Sequence, residues 1–316
     1  MRGILKHKPA GNQFLVLIGI TIVSFLFFST AGLIVASRLT GMSLQELAQP
    51  EKWNYKSNSV IIFFRVSQTA QFFGAFLVPC FLCAYFFSSN SRKYLGLRQP
   101  ESVRFYAWAV FALLLAIPLV SLLGQLNQQI PFTGSIGEWM KKMERDSSKT
   151  LTAVLSKQTP ADVVINLVVI ALFAAVGEEL LMRGMVQRLL IKMFRNEWAG
   201  ILIAAALFSA LHLQFAGFFP RFFLGILLGA AYWYSRSLWV AIAAHFVYDA
   251  YYVIMVYFKP EKVSNDKTFQ WASLVASGLV SAVITFYLVY RMKKDSTNTF
   301  AAAYKEDALP VKNHPF

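Results

Sequence analysis

Long runs of apolar residues, separated by short polar segments, dominate the chain. Runs of 18 or more apolar residues are typical of helices that cross a bilayer, because about 20 helical residues span its hydrocarbon core. Eight such runs are predicted, at about residues 14–36, 60–87, 105–124, 162–187, 198–214, 218–235, 238–257 and 269–291. The pattern therefore predicts an all-α fold, a polytopic membrane helix bundle with about eight transmembrane helices.

The polar segments divide the chain into four parts. We expect N-terminal transmembrane helices and a polar loop at 1–160, helices bearing ionisable groups at 161–258, a last transmembrane helix at 259–294 and a polar tail at 295–316. The loop around Trp139 is predicted to form an interfacial amphipathic helix, or a partly re-entrant one. The first apolar run exceeds the 7–15 residues of a signal-peptide core, so we expect it to stay in the mature protein.

Charge supports a membrane location and gives an orientation. Only 15% of residues are charged, against about 25% in soluble domains. The net charge of +14 does not indicate nucleic-acid binding, because the basic residues lie mainly at the ends of apolar runs, where they fix topology. Four basic clusters stand out, at Arg2–Lys8, Arg92–Arg104, Arg188–Arg195 and Arg291–Lys294. With eight spans, all four clusters and both termini fall on the same side of the membrane, which is predicted to be cytoplasmic. The basic loop at 125–161 is an exception.

Several polar residues in the first half are expected to be structural. Cys80 and Cys83 lie at helical spacing in an apolar run, which favours packing over a disulfide or a metal site. Arg65, Gln68 and Gln71 share one face of the second predicted helix. We expect Arg65 to reach the interface and the glutamines to hydrogen-bond between helices.

The strongest signal is Glu178-Glu179 followed by Arg183 in the fourth predicted span. Glu179 and Arg183 are i,i+4 and can pair on one helix face. Glu178 points about 100° away, so it can face a cavity and serve as a base. The alternative is that Arg183 and neighbouring helices neutralise both carboxylates for structural reasons alone.

Two later spans each carry a histidine motif. Phe208 and His212 are i,i+4 in the fifth span, and His245 and Asp249 are i,i+4 in the seventh. Asp249 can orient the His245 ring and stabilise its charged form. Either histidine taken alone could equally be a hydrogen-bonded packing residue.

Taken together, the ionisable residues indicate hydrolysis. Each charge at the bilayer centre costs about 2.5–3.5 kcal/mol on insertion scales, so intramembrane ionisable residues are functional candidates. Glu178, His212 and His245 could hold a zinc ion with an open water position. Alternatively, Glu178 and His212 activate water directly while His245 and Asp249 stabilise the oxyanion. The sixth span contains Gly225 and Gly229, a GxxxG expected to let helices approach closely.

The three motifs, in this order and spacing, resemble the CPBP intramembrane protease family. That family includes type II CAAX prenyl endopeptidases and bacteriocin-processing or abortive-infection-like proteins. Its pattern is EExxxR, then FxxxH, then HxxxN or a variant, which this chain matches over about residues 160–255. The resemblance implies that Glu178, His212, His245 and Asp249 are catalytic, with Glu179, Arg183 and Phe208 supporting. Asp249 departs from the common asparagine, and an ionised aspartate cannot donate to an oxyanion.

The expected function is an intramembrane endopeptidase that hydrolyses a peptide bond of a membrane-associated or lipidated peptide or protein, near the cytoplasmic side of the bilayer. Zinc is an open expectation, and no nucleic-acid partner is expected. The expected location is a bacterial cell (inner) membrane. One alternative is a non-catalytic membrane scaffold or bacteriocin-immunity protein on the same fold. A transporter with a proton relay is less favoured, because the chain lacks paired repeats.

Overall fold

The computed structural model describes residues 1–156, 159–258 and 270–304. Within these ranges the chain is helical and contains no strand. The ten long helices are α1 (Ala10–Thr40), α2 (Asn58–Phe87), α3 (Arg104–Leu115), α4 (Ile117–Gln128), α5 (Gly134–Leu155), α6 (Pro160–Phe194), α7 (Glu197–Leu211), α8 (Phe218–Ser235), α9 (Leu238–Phe258) and α10 (Trp271–Asp295). Short helices lie at Leu44–Leu47, Ser91–Tyr94 and Phe300–Tyr304.

The predicted polytopic bundle is confirmed, although the exact count of eight spans is not. Each predicted apolar run lies largely in helix. Six described helices are long and apolar enough to cross a membrane, and a seventh span results if α3 and α4, bent by 42°, count as one. The remaining apolar helix, α7, has only 15 residues, about 22 Å of length. Residues 259–269 of the predicted last-helix segment and 305–316 of the predicted polar tail lie outside the described residues.

The polar loop around Trp139 forms a single amphipathic helix, α5. An amphipathic helix was one of the two alternatives predicted for this loop. Its Trp139 ring packs against Phe215, with centroids 5.7 Å apart. At its far end, the Val154 carbonyl accepts a hydrogen bond from Asn166 Nδ2 at 3.2 Å. These contacts attach α5 to the turn after α7 and to the start of α6.

Arg65 joins the N-terminal helices to the helix that carries the paired glutamates. Its Nη2 atom lies 2.9 Å from Asp162 Oδ1 and 3.2 Å from Asn166 Oδ1. The expected structural role therefore arises from a cross-helix ion pair rather than from reaching the interface. This pair holds α2 beside α6.

The chain segments rich in basic residues gather at one end of the bundle, here called the basic end. It comprises residues 1–9, 88–103, 188–196, 236–237 and 293–304. Arg98 Nε donates to the Arg236 carbonyl at 2.7 Å, and the Tyr304 hydroxyl donates to the Arg188 carbonyl at 2.7 Å. The amide of Gly3 bonds to the Tyr85 carbonyl at 2.9 Å. Both ends of the described chain therefore lie at the same end of the bundle.

The two glycines of the GxxxG segment form a packing surface, as expected. On α8, a Cβ atom at Gly225 would lie 2.9 Å from the Ala205 side chain of α7. From α6, Arg183 Nη2 donates to the Gly225 carbonyl at 3.1 Å, and Gln187 Nε2 donates to the Gly229 carbonyl at 3.0 Å. Close approach of α8 thus lets its backbone oxygens satisfy buried polar side chains of α6.

Substitution of Gly225 by alanine should destabilise the protein. The added methyl group would overlap Ala205 and push α8 away from α7, at a cost of about 1–3 kcal/mol. Thermal unfolding of the purified protein measures the loss. Gly19→Ala is the matched control, because Gly19 is also helical and a Cβ there would meet no atom within 4 Å. Equal unfolding temperatures for the two variants would contradict this packing.

Candidate active site

The two adjacent glutamates of α6 occupy different environments. The Glu179 side chain is fully buried, at 0% exposure, whereas that of Glu178 is 19% exposed and lines a cavity. The helix changes from α-helical to π-helical hydrogen bonding immediately after them, over Leu180–Gln187. Such wide turns recur at functional sites. The predicted divergence of the two carboxylates is therefore observed.

Glu179 connects two neighbouring groups through one oxygen. Its Oε1 atom accepts from Arg183 Nη1 at 2.6 Å and from His245 Nδ1 at 2.9 Å. The predicted pair with Arg183 is present, but sequence reasoning missed the contact with His245. The sequence signal for the contact between Glu179 and His245 was weak, because the two residues are 66 positions apart.

His212 lies at the end of α7, where its ring is fixed by the backbone. Its Nδ1 atom is 2.8 Å from the Phe208 carbonyl. A carbonyl only accepts hydrogen bonds, so Nδ1 carries the proton and Nε2 of the neutral ring is an acceptor. That Nε2 atom lies 4.0 Å from Glu178 Oε1. The next residue, Leu213, has φ of 54° and turns the chain away from the helix.

The His245 ring of α9 lies among three carboxylates. Besides the Nδ1 contact with Glu179, its Nε2 atom is 3.3 Å from Asp249 Oδ2 and 3.9 Å from Glu178 Oε2. An ionised carboxylate only accepts hydrogen bonds, so these surroundings suit a ring that donates from both nitrogens. The expected contact of Asp249 with His245 is present, and Asp249 also lines the cavity.

Phe208 separates the site from the packing contacts behind it. Its ring meets the His212 ring edge-on at 4.8 Å and the His245 ring at 6.4 Å between centroids. The Arg183 guanidinium lies over the same ring, 5.0 Å from the centroid. One aromatic side chain therefore restricts both histidines and the cation that neutralises Glu179.

The site opens onto a cavity of about 570 Å³ between α1, α2, α6, α7 and α9. Glu178, His212 and Asp249 form its polar wall. Its other lining residues are Thr21, Gln68, Gln71, Phe72, Ala75, Phe76, Val169, Ile170, Phe173, Ala174, Leu181, Met182, Phe208 and Leu211. The stacked rings of Phe72 and Phe173, 4.4 Å apart, form an apolar side.

The glutamines of α2 are residues whose position the sequence did not predict. Gln68 and Gln71 were expected to bond between helices, yet both are exposed and line the cavity with Glu178. Their i,i+3 spacing in an apolar helix was the available signal. This spacing could not reveal that the glutamines would share a cavity with Glu178.

The candidate ligands do not fit a shared zinc ion. Zinc bonds of about 2.0–2.2 Å in a tetrahedron place ligand atoms about 3.3–3.5 Å apart. The two histidine Nε2 atoms lie 4.0 and 3.9 Å from Glu178, and they face different oxygens of it. Among the described residues, no group of three His, Cys, Asp or Glu side chains could hold a metal ion.

The site residues lie at different depths in the bundle. His245 follows the start of α9 at Leu238 by seven residues, or about 10 Å of helix. Glu178 lies near the middle of α6, 18 residues after Pro160 and 16 residues before Phe194.

Fold and site together define a polytopic membrane protein with an acid-base cluster inside its helix bundle. Residues 160–251 match the family model of type II CAAX prenyl endopeptidases, described as Rce1-like. The match covers somewhat less than a third of the chain, includes all three motifs and confirms the predicted resemblance to the CPBP intramembrane proteases. No curated protein and no solved structure matches the chain.

Replacement of Glu179 by glutamine should cost stability. The change leaves the buried Arg183 guanidinium without its counter-charge, and breaking a buried pair costs about 3–5 kcal/mol. Thermal unfolding measures the loss, with Asp249→Asn as the control, since Asp249 is partly exposed to the cavity. A Glu179→Gln variant as stable as Asp249→Asn would contradict the central role of this pair.

Proposed function

We propose that the chain is an intramembrane endopeptidase of CAAX type that activates water with Glu178 and His212. The observation that carries the proposal is the convergence of Glu178, His212, His245 and Asp249 from three helices, with all except His245 lining one cavity. A soluble protease could use similar groups, but these lie inside apolar helices, where ionisable residues are costly.

Glu178 is assigned as the general base. A water molecule between Glu178 Oε1 and His212 Nε2 would face two proton acceptors, because the Nδ1 proton of His212 is directed to the Phe208 carbonyl. Glu178 takes one proton as the water oxygen attacks the peptide carbonyl. The same glutamate then returns this proton to the leaving nitrogen, so that the peptide bond breaks into a free amine and a carboxylic acid, which ionises in water.

His245 is assigned to the oxyanion. Its contact with Glu179 fixes the ring through Nδ1 and directs Nε2 toward Glu178 and the cavity side of the site. A donor from Nε2 can stabilise the negative oxygen of the tetrahedral intermediate. Asp249 is assigned to orientation of this ring, because it lies 3.3 Å from Nε2 and an ionised carboxylate cannot itself donate to an oxyanion.

The cavity wall indicates the kind of substrate. Amide groups of Gln68 and Gln71 can bond to the main chain of an extended peptide, while Phe72, Phe76 and Phe173 offer apolar contact. A membrane-associated or lipidated peptide has both a main chain for these hydrogen bonds and an apolar part for contact with the phenylalanine rings. The family match at residues 160–251 supports a CAAX-type substrate.

The proposed orientation places the basic end in the cytoplasm of a cell, with a bacterial inner membrane as the expected location. Basic loops favour the cytoplasmic side. Reporter fusions at both termini test the orientation, and termini on opposite sides would contradict it.

Glu178→Gln should abolish cleavage of a membrane-bound peptide while the protein stays folded. Glutamine keeps the size of the side chain but removes the base, and loss of general-base catalysis lowers turnover by about 10²–10⁴-fold. Turnover and thermal unfolding are measured together. Asp249→Asn, which resembles the common family residue, should retain substantial activity. Wild-type turnover in Glu178→Gln would refute the mechanism, whereas no cleavage by the wild-type protein itself would favour the scaffold alternative.

Gln68→Leu and Gln71→Leu should raise KM more than they lower kcat. Leucine keeps the bulk of the side chain but cannot bond to a peptide main chain, so ground-state binding is lost. Gln129→Leu, outside the cavity, is the matched control. Unchanged KM in both cavity variants would show that the substrate does not contact this wall.

Zinc is tested separately by metal analysis of the purified protein and by cleavage after chelation. The wide spacing of the candidate ligands leads us to propose metal-independent water activation. Loss of activity on chelation, restored by one equivalent of zinc, would overturn that assignment while leaving the protease assignment intact.

A further inference from the structure

A second cavity lies beside the candidate active site, beneath the amphipathic helix α5. Its volume is about 380 Å³, within the range of small-molecule sites. Three of its lining residues also line the cavity of Glu178, namely Gln68, Val169 and Ile170. Gln214, two residues after His212, contributes to the same wall. The two cavities are therefore neighbours, and the second is here called the flanking cavity.

The flanking cavity lies on the side of the site away from the basic end. On α6, residues 169–170 lie between the start of the helix at Pro160 and Glu178, whereas the helix runs on to the basic end at 188–196. On α2, Gln68 lies in the half of the helix farther from the basic end. The space beside Glu178 is thus continued toward the end of the bundle that carries α5.

One face of α5 forms a wall of the flanking cavity. Six residues at helical spacing line it, namely Met143, Asp146, Ser147, Thr150, Leu151 and Val154. Val154 follows Met143 by 11 residues, which is a rise of about 16 Å. An extended peptide rises about 3.3 Å per residue, so up to about five of its residues fit along this face. The remaining surface of the helix carries exposed basic residues, namely Lys141, Lys142, Arg145 and Lys149.

The polarity of this face differs from that of a face used only for packing. A helix face that packs against apolar helices is normally apolar, yet Asp146, Ser147 and Thr150 are polar and partly exposed. The Thr150 hydroxyl donates to the Asp146 carbonyl at 2.9 Å. The Asp146 carboxylate and the Ser147 hydroxyl have the chemistry to accept hydrogen bonds from main-chain N–H groups. Together with the apolar Met143 and Leu151, they suit a peptide that has both a polar main chain and apolar side chains.

The wall formed by α5 is fixed at both of its ends. Near the start of the helix, the Trp139 ring packs against Phe215, with centroids 5.7 Å apart. The turn that carries Phe215 is itself held by Asn127, whose Nδ2 atom donates to the Phe215 carbonyl at 2.8 Å. At the far end, the Val154 carbonyl accepts from Asn166 Nδ2 at 3.2 Å. The flanking cavity is therefore a prearranged space that needs no closing movement of α5.

We propose that the flanking cavity holds the segment of the substrate peptide next to the scissile bond, in extended form. This inference rests on the proposed protease function. The peptide passes from Glu178 along Gln68, which belongs to both cavities, and then between α5 and α6. Selection of the substrate then depends on several residues beside the cleaved bond. The inference concerns the end of the bundle that carries α5 and holds for either orientation in the membrane.

Single cysteines on α5 test this path in the full-length protein in phosphatidylcholine nanodiscs. Unmodified Ser147→Cys should cleave a farnesylated CAAX peptide as wild type does, which shows that the variant folds. Modification with a bulky maleimide should then lower its kcat/KM at least about tenfold, because the added group occupies the flanking cavity. Ser148→Cys is the matched control, since Ser148 is exposed outside the cavity, and its kcat/KM should not change. Wild type should stay unmodified, because Cys80 and Cys83 are fully buried.

A second measurement follows binding of the same peptide without cleavage. In the Glu178→Gln background, peptide at about ten times its Kd should slow the modification of Ser147→Cys about tenfold by mass action. The modification rate of Ser148→Cys should stay the same. The farnesylated cysteine of the peptide is a thioether and does not consume the maleimide.

The two measurements separate this inference from the proposed function. Full cleavage by modified Ser147→Cys, or equal modification rates with and without peptide, would overturn the flanking cavity as a substrate site and leave the protease assignment intact. If wild type cleaves no such peptide although the peptide protects Ser147→Cys, the protease assignment fails and the cavity remains a peptide-binding site. Absence of both cleavage and protection would overturn both.

Discussion

The buried carboxylate of Glu179 is the interaction on which the rest of the site depends. It accepts bonds from Arg183 on its own helix and from His245 on α9. Arg183 in turn reaches the Gly225 carbonyl of α8. A charge buried this deeply needs a counter-charge, which Arg183 supplies at Oε1, while Oε2 has no hydrogen-bond partner among the described residues. The requirement for pairing therefore fixes the relative positions of α6, α8 and α9, and with them the direction of the His245 ring.

Adjacent glutamates can then serve opposite purposes. Glu179 is committed to Arg183 and His245, while Glu178 points to the cavity and keeps both oxygens near histidine nitrogens at 3.9–4.0 Å. Helical geometry separates neighbouring side chains by about 100°, so one turn of helix supplies both an anchor and a candidate base. In apolar surroundings each ionisable group costs free energy, so such groups are expected to be paired or to have a function.

The N-terminal half completes the site although the family match does not reach it. The ion pair between Arg65 and Asp162 holds α2 beside α6, and Gln68 and Gln71 of α2 line the same cavity as Glu178. Thus the cavity beside Glu178 has walls from both halves of the chain.

The sequence alone determined the helical membrane class, since long apolar runs have no other stable form in lipid. It also determined the site candidates, because Glu178, His212, His245 and Asp249 stand out in apolar helices. The spacing further predicted the Glu179–Arg183 pair and the packing of Gly225, both local or periodic features. The tertiary structure alone decided the contact of Glu179 with His245, the placement of Gln68 and Gln71, and the shortness of α7. These depend on which helices become neighbours, and a one-dimensional pattern of polarity carries no information about that choice.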